Sequence, residues 1–239
     1  MYSKETIKKY IMKMNETMNH YRAVYAADEF ETFCDVCISK GNKKIGRVMN
    51  VSLAPVLTCG NCSHCVSLCY DIKASIQYGN VMKARARNTV LALEHMDRYF
   101  QGIRYALSGR RKNKYFIWHV GGDIPNYQYF ENMVKIAWER PDFTFWTYTK
   151  MYGIINLYIM RNGRDSIPNN LTIMFSEWDG MSLINPYEFP VFTCKLKDGN
   201  KNHAPEYFET LYKCPGNCDI CKETRRGCIA GETTYADEH

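Results

Sequence analysis

The chain has 239 residues, of which 46% are hydrophobic, and it carries a formal net charge of +6. This composition suits one large domain or two small ones and excludes a disordered chain. Membrane helices need about 20 apolar residues and signal peptides need an apolar core, and the sequence shows neither. Eleven cysteines without an export signal predict a reducing, cytoplasmic location, where cysteines bind metals more often than they form disulfides.

Apolar periodicity predicts helices and strands in alternation along the chain. An amphipathic helix is expected at 3–20, a short strand at 46–53 and a long helical stretch at about 71–107, broken near Gly79. Further strands are predicted at 115–120, 143–148, 171–176 and 190–194, with helices at 127–139 and 151–162 between them.

Such alternation is typical of βα units on a mainly parallel sheet. Five predicted strands are fewer than the eight of a complete barrel. The sequence therefore predicts an α/β fold, namely an incomplete or small (β/α) barrel with mainly parallel strands, plus a cysteine-rich, metal-binding C-terminal segment. We expect an N-terminal helix with its connecting segment at 1–45, the partial barrel at 46–200 and the cysteine-rich segment at 201–239.

Four cysteines lie within eleven residues in the pattern C-x2-C-x2-C-x3-C: Cys59, Cys62, Cys65 and Cys69. Bacterial ferredoxins hold a [4Fe–4S] cluster with this spacing. A single zinc ion usually takes two C-x2-C pairs separated by a longer insert, which is missing here. The run therefore predicts an iron–sulfur cluster, held either by all four thiolates or by three, in which case one iron is open to a substrate or cofactor.

A second cysteine group lies near the C-terminus and comprises Cys214, Cys218, Cys221 and Cys228. Its spacing fits a structural zinc ion about as well as a second iron–sulfur cluster, and both alternatives stay open. Cys34 and Cys37 form a lone C-x2-C, which is half a metal site, a redox pair or two ordinary thiols. Cys194 lies on a predicted strand and is expected to be a small buried side chain.

Polar groups follow the first four predicted strands. Since parallel strands end at one edge of a sheet, where ligands bind, we expect these groups to form one site. Gly121, Gly122 and Asp123 would offer a backbone platform and a carboxylate for a ligand's ammonium group; the alternative is a turn that needs glycine. His119 is either a ligand contact or a core histidine. The four groups are the cysteine loop, Gly121–Asp123, Tyr148–Lys150 and Ser176–Asp179.

The segment from Asn50 to Cys59, followed by Cys65, Cys69 and Tyr70, resembles the opening motif of a phage and prophage family called gene product eighty-eight. Cys62, Asp71 and Gly121 depart from the family pattern, which has no cysteine, an alanine and a serine there. The resemblance covers roughly 40–239 and includes Arg87-Asn88, His119–Asp123, Pro141 through Lys150, the C-terminal cysteines and His239.

The family layout is similar to that of radical S-adenosylmethionine enzymes. This similarity implies that Cys59, Cys65 and Cys69 hold a [4Fe–4S] cluster and that Gly121–Asp123 bind the amine of S-adenosylmethionine. It also implies an auxiliary cluster at Cys214–Cys228 and an electron donor such as flavodoxin or ferredoxin. The predicted activity is reductive cleavage of S-adenosylmethionine.

Two other functions remain open. One is a non-enzymatic, metal-stapled protein that binds nucleic acid through its basic surface, to which Lys83, Arg85, Arg87 and Arg98 would contribute. The sequence contains no recognised nucleic-acid-binding motif. The other is an iron–sulfur electron carrier or redox sensor, which needs a fully ligated cluster.

Overall fold

The computed structural model describes residues 1–27, 35–109 and 112–238. The α-helices in these ranges are α1 (Lys4–Ala27), α2 (Tyr70–Gln77), α3 (Gly79–Glu94), α4 (Met96–Leu107), α5 (Tyr127–Glu139), α6 (Tyr152–Asn162) and α7 (Cys218–Thr224). The β-strands are β1 (Met49–Asn50), β2 (Tyr115–Trp118), β3 (Thr144–Thr149), β4 (Leu171–Ser176), β5 (Val191–Lys195), β6 (Tyr212–Lys213) and β7 (Thr234–Asp237).

These strands form one parallel sheet in the order β1-β2-β3-β4-β5-β7-β6. The predicted α/β fold with parallel strands is therefore confirmed. The sheet is open, because β1 and β6 are its two edges, and a closed barrel does not form in the described ranges. Strands β6 and β7 were not predicted, and they bring the C-terminal segment into the sheet.

Local sequence explains several helix boundaries. The side chain of Asn126 caps α5 by accepting a hydrogen bond from the Tyr129 N–H at 2.8 Å, and Asn217 caps α7 in the same way. The predicted break near Gly79 is confirmed, since Tyr78 separates α2 from α3. A second break at His95 was not predicted; the residues around it include no glycine or proline, and the His95 ring contacts Tyr25 of α1.

The predicted first strand at 46–53 is reduced to Met49–Asn50. Asn50 exchanges backbone hydrogen bonds with Ser39 on one side, while Val51 already bonds across to Ile117 and Val120. The chain then leaves the sheet, and Leu53 donates its N–H to the Gly121 carbonyl at 2.9 Å. This early departure places the cysteine loop over the end of the sheet.

Alternating side chains give the sheet two apolar faces. On the first face, residues such as Phe116, Phe145 and Phe175 belong to the main core together with buried residues of α1 and α3–α6. On the second face, Trp146 and Met174 pack with Cys228 of the C-terminal segment. Helices therefore cover one face, and the cysteine-rich segment covers part of the other. No helix among the described residues is long and apolar enough to cross a membrane.

His119, directly after β2, is a buried core histidine in the left-handed conformation, with φ of 59°. Its Nε2 lies 2.9 Å from the Tyr129 hydroxyl, and its Nδ1 lies 3.4 Å from the Thr147 hydroxyl. Burial lowers the pKa of His119 to about 3. The ring is therefore neutral in the folded protein over the whole physiological range.

This neutral ring predicts a pH-dependent stability. In the unfolded chain His119 takes up a proton below about pH 6.5, whereas the folded protein resists protonation until about pH 3. Between those values the unfolded state binds more protons, so His119 costs roughly 1.4 kcal/mol of stability per pH unit as the pH falls. Urea unfolding at pH 7.0, 5.5 and 4.5 should show that the free energy of unfolding falls more steeply with decreasing pH in the parent than in His119→Gln. If the free energy of unfolding changes with pH equally in both proteins, His119 is not a buried neutral histidine.

Candidate functional site at the carboxyl ends of the strands

The cysteine loop, residues 59–69, lies over the carboxyl ends of the central strands. Its Gly60 approaches Met151, beyond β3, so closely that a Cβ there would lie 2.9 Å from the methionine sulfur. Its His64 lies beside Gly180, beyond β4. Cys59 lies within electrostatic range of Asp123 and Lys150. The structure thus brings the four predicted strand-end groups to one edge of the sheet.

Burial keeps several thiols of this loop protonated. It raises the pKa of Cys59, and the Asp123 carboxylate raises it further. Burial also raises the pKa of Cys69 to about 11, with smaller contributions from Asp71 and then Cys65. Burial raises the pKa of Cys62, and Cys65 adds to the rise. A metal would have to displace the protons of these thiols on binding.

The described residues contain no group of three His, Cys, Asp or Glu side chains that is arranged to hold a metal ion. The assignment of Cys59, Cys62, Cys65 and Cys69 to a cluster stays a prediction.

Asp123 connects the ends of β2 and β3. Its carboxylate accepts hydrogen bonds from the Thr149 hydroxyl at 2.7 Å, the Lys150 N–H at 2.8 Å and the Ile124 N–H at 2.7 Å. Gly122 has a φ of 79°, which favours glycine, and a Cβ there would press against Thr58 and Leu53. A carboxylate has about four acceptor positions. Three are used inside the protein, so about one is left for the predicted ammonium group.

Gly121 and Asp71, two of the three departures from the family pattern, are in direct contact. A Cβ on Gly121 would collide with the Asp71 carboxylate. Asp71 is 2% exposed and forms an ion pair with Arg85. Burial raises the pKa of Asp71, and Arg85 opposes the rise. The larger side chain at 71 therefore requires the smaller one at 121, so the two departures form one compensating pair.

The ends of β3 and β4 add a second polar group to this edge. The Lys150 ammonium donates to the Ser176 hydroxyl at 3.1 Å, and the Tyr152 hydroxyl donates to the Ser176 carbonyl at 2.5 Å. Glu177 is buried, and its carboxylate lies 2.7 Å from Nε2 of His203. The His203 ring stacks on Tyr207 with centroids 3.9 Å apart. Sequence reasoning missed His203, since its loop carries no motif and its partner is 26 residues away.

The C-terminal cysteines come together on the second face of the sheet, beside Tyr148. Burial raises the pKa of Cys218 to about 12, and the thiols of Cys221, Cys228 and Cys214 add to the rise. Burial likewise raises the pKa of Cys228 to about 12, while a hydrogen bond with Tyr148 opposes the shift. Cysteine thiolates are ligands of zinc and of iron–sulfur clusters, but these four side chains are not arranged to hold a metal ion here. A metal at the C-terminal cysteines stays a prediction.

The other predicted motifs have structural positions. Asn88 accepts the Cys37 N–H at 2.8 Å and donates to the Cys37 carbonyl at 2.9 Å, and Arg87 pairs with Asp35. Arg87-Asn88 therefore anchors the segment before β1. Cys34 and His239 lie outside the described residues. Cys194 is half-buried on β5.

Comparison with known proteins gives one match. A family model described as Gene product 88 matches residues 32–187, more than half of the chain. The matched range contains the cysteine loop, Asp123, Lys150 and Glu177, and it ends before the C-terminal cysteines. No curated protein and no solved structure matches the chain. The layout of radical S-adenosylmethionine enzymes therefore stays a prediction.

The contact between residues 71 and 121 predicts a compensating pair of substitutions. Gly121→Ser should lower the free energy of unfolding by about 1–3 kcal/mol, because its Cβ collides with the buried Asp71 carboxylate. Adding Asp71→Ala removes the collision and should recover part of this loss, giving a coupling of about 0.5–3 kcal/mol in a double-mutant cycle. Strictly additive effects in urea unfolding would show that the two positions do not interact. Asp71→Ala alone is the matched control for the loss of the ion pair with Arg85.

Proposed function

Because this chain belongs to the gene product 88 family, whose matched range includes the cysteine loop, we propose that it is an iron–sulfur protein with a [4Fe–4S] cluster at that loop. We further propose that it is an enzyme of the radical S-adenosylmethionine type, acting in the cytoplasm with electrons from a flavodoxin or ferredoxin. In this proposal the open parallel sheet is an incomplete (β/α) barrel.

The observation that carries the proposal is the position of the loop. Four thiols follow β1 and lie at the same edge as Asp123, Lys150 and Ser176. A cluster at this edge would adjoin one buried carboxylate and one ammonium group, both on the ends of neighbouring strands. Ligand sites of parallel α/β proteins are found at this edge.

The donor set fits an iron–sulfur cluster chemically. Thiolates are soft ligands that select iron–sulfur clusters, zinc and copper(I). Cys59, Cys65 and Cys69 would hold three irons if the family pattern governs, and Cys62 would join them if the ferredoxin spacing governs. When bound, a cluster with one open iron supplies a single electron to S-adenosylmethionine.

The chain's own residues would bind and orient the zwitterionic end of that ligand. Lys150 lowers the pKa of Cys59 and Cys62 by its positive charge, and that charge suits a carboxylate. Asp123 offers its remaining acceptor position to an ammonium group, while its bonds to Thr149 and Lys150 fix its orientation. The apolar residues Leu53 and Met151 lie beside Gly122 and Gly60 at this edge.

The C-terminal cysteines would carry a second cluster or a structural zinc ion on the other face of the sheet. Because Cys228 packs against Trp146 and Met174, a metal there would fix the segment that covers these side chains. Metal binding at such a site would be coupled to folding.

Substitution of single cysteines tests the proposal. After anaerobic reconstitution with iron and sulfide, Cys65→Ala should lose most of the iron of the loop, whereas Cys62→Ala should retain it and still release 5′-deoxyadenosine from S-adenosylmethionine upon reduction. Cys194→Ala is the matched control, since this half-buried cysteine lies on β5, outside both groups. Iron analysis, EPR and product chromatography give the readouts.

Two outcomes would contradict the proposed enzymatic activity. If Cys62→Ala loses as much iron as Cys65→Ala and the parent forms no 5′-deoxyadenosine, the cluster is fully ligated and the protein is an electron carrier. If the parent takes up zinc and no iron, both cysteine groups are structural.

A further inference from the structure

Three segments that are distant in the sequence meet near the amino ends of β1 and β2. They are 40–47, 112–114 and 218–226, and together they are called the basic surface below. The Asn113 side chain donates to the Arg47 carbonyl, which joins the first two segments. The Cys218 N–H donates to the Lys44 carbonyl at 3.2 Å, which joins the first and third. Lys222 lies over the ring of Tyr115 at 5.5 Å, close to the second.

The basic surface has a strong excess of positive charge. Its three segments contain nine basic side chains and only two acidic ones, Asp219 and Glu223. The whole chain, by contrast, has 31 basic and 25 acidic residues. The excess of positive over negative charge in this chain is therefore concentrated on one surface. The nine are Lys40, Lys43, Lys44, Arg47, Lys112, Lys114, Lys222, Arg225 and Arg226.

Several of these charges are exposed and without a carboxylate partner. Lys114, Lys222 and Arg226 form ion pairs with Asp142, Asp219 and Glu232. In the parts of the chain that the structure describes, six exposed basic residues of the surface form no ion pair, namely Lys40, Lys43, Lys44, Arg47, Lys112 and Arg225.

The arginines of α3 and α4 behave differently. Arg85 pairs with the buried Asp71, while Arg87 and Arg98 pair with Asp35. These three arginines stabilise the fold and are not free to bind a polyanion. Of the four basic residues expected to contribute to a nucleic-acid surface, Lys83 is exposed, and none of the ion pairs among the described residues includes it. The larger group of unpaired charges lies on the basic surface.

We propose that the basic surface binds the phosphate backbone of double-stranded DNA. Duplex DNA carries one negative charge per about 1.7 Å of its axis, the charge density that such a group of lysines complements. The aromatic rings that border the three segments, Tyr115 and Tyr212, lie beneath Lys222 and Arg226, so they are less suited to stack on an unpaired base, which favours a duplex over a single strand. The binding is independent of base sequence, because phosphate contacts by lysine position the partner without reading it.

The basic surface is separate from the cysteine loop, since it is near the amino ends of the first strands whereas the loop lies at their carboxyl ends. Its third segment contains Cys218 and Cys221 of the C-terminal group, so the test below changes only lysines of the first two segments. DNA binding and the chemistry of the loop cluster can therefore be tested, and can fail, independently.

Fluorescence anisotropy with a labelled 24-base-pair DNA duplex tests the proposal. The whole protein is titrated at several salt concentrations, beside a variant with Lys43→Glu, Lys44→Glu and Lys112→Glu. The matched control carries Lys4→Glu, Lys8→Glu and Lys13→Glu, three exposed lysines of α1, and has the same net charge as the variant. Thermal unfolding of all three proteins checks that the substitutions leave the fold intact.

The parent should bind with an affinity that falls steeply with salt. In the basic-surface variant the affinity should drop by more than about tenfold. The slope of log K against log salt should also decrease in magnitude by roughly 2–3, because each lost phosphate contact lowers the slope by about 0.9. The α1 control should retain the parent slope. Equal weakening of both variants would overturn the proposal, because net charge alone would explain it. No binding by the folded parent, or tighter binding to duplex RNA or anionic vesicles than to DNA, would overturn it as well.

Discussion

A parallel sheet must be covered on both faces, and this requirement organises the molecule. Parallel strands are rarely stable with one face in water, because their side chains are apolar on both sides. Here Phe145 points into the helical core while its neighbour Trp146 is equally buried on the other face. Helices α1–α6 contribute to the core on the first face. The C-terminal segment has to cover the second, and its cysteines are placed there as a consequence.

The same parallel arrangement brings the ends of β1–β4 to one edge, where charges and thiols share a small space. Asp123 ties two strands together and at the same time raises the pKa of Cys59. Lys150 opposes this effect from the end of β3. A buried carboxylate beside a thiol disfavours a thiolate, and burial raises the pKa of Asp123 as well as that of Cys59. The side chains that set the charge of this edge also hold the strands in place.

Compensation between neighbouring residues explains how this chain departs from its family at the edge of the site. Asp71 introduces a buried charge, Arg85 neutralises it, and Gly121 makes room for it. Because a buried ion pair costs several kcal/mol when one partner is removed, the three positions are expected to change together. At the end of β4, the contact between Glu177 and His203 holds the loop that follows β5.

The sequence by itself determined the local elements. The strand at 171–176 and the helix at 127–139 were predicted with their observed limits, and β2, β3 and β5 within two residues, because an apolar period is a local property. The cysteine spacings predict two metal sites, and both stay predictions. Tertiary structure alone decided that β6 and β7 join the sheet, that the cysteine-rich segment covers its second face, and that His203 meets Glu177. It also decided which basic residues are buried in ion pairs and which remain on the surface. Each of these depends on contacts between residues far apart in the chain, whose pairing leaves no periodic signal in the sequence.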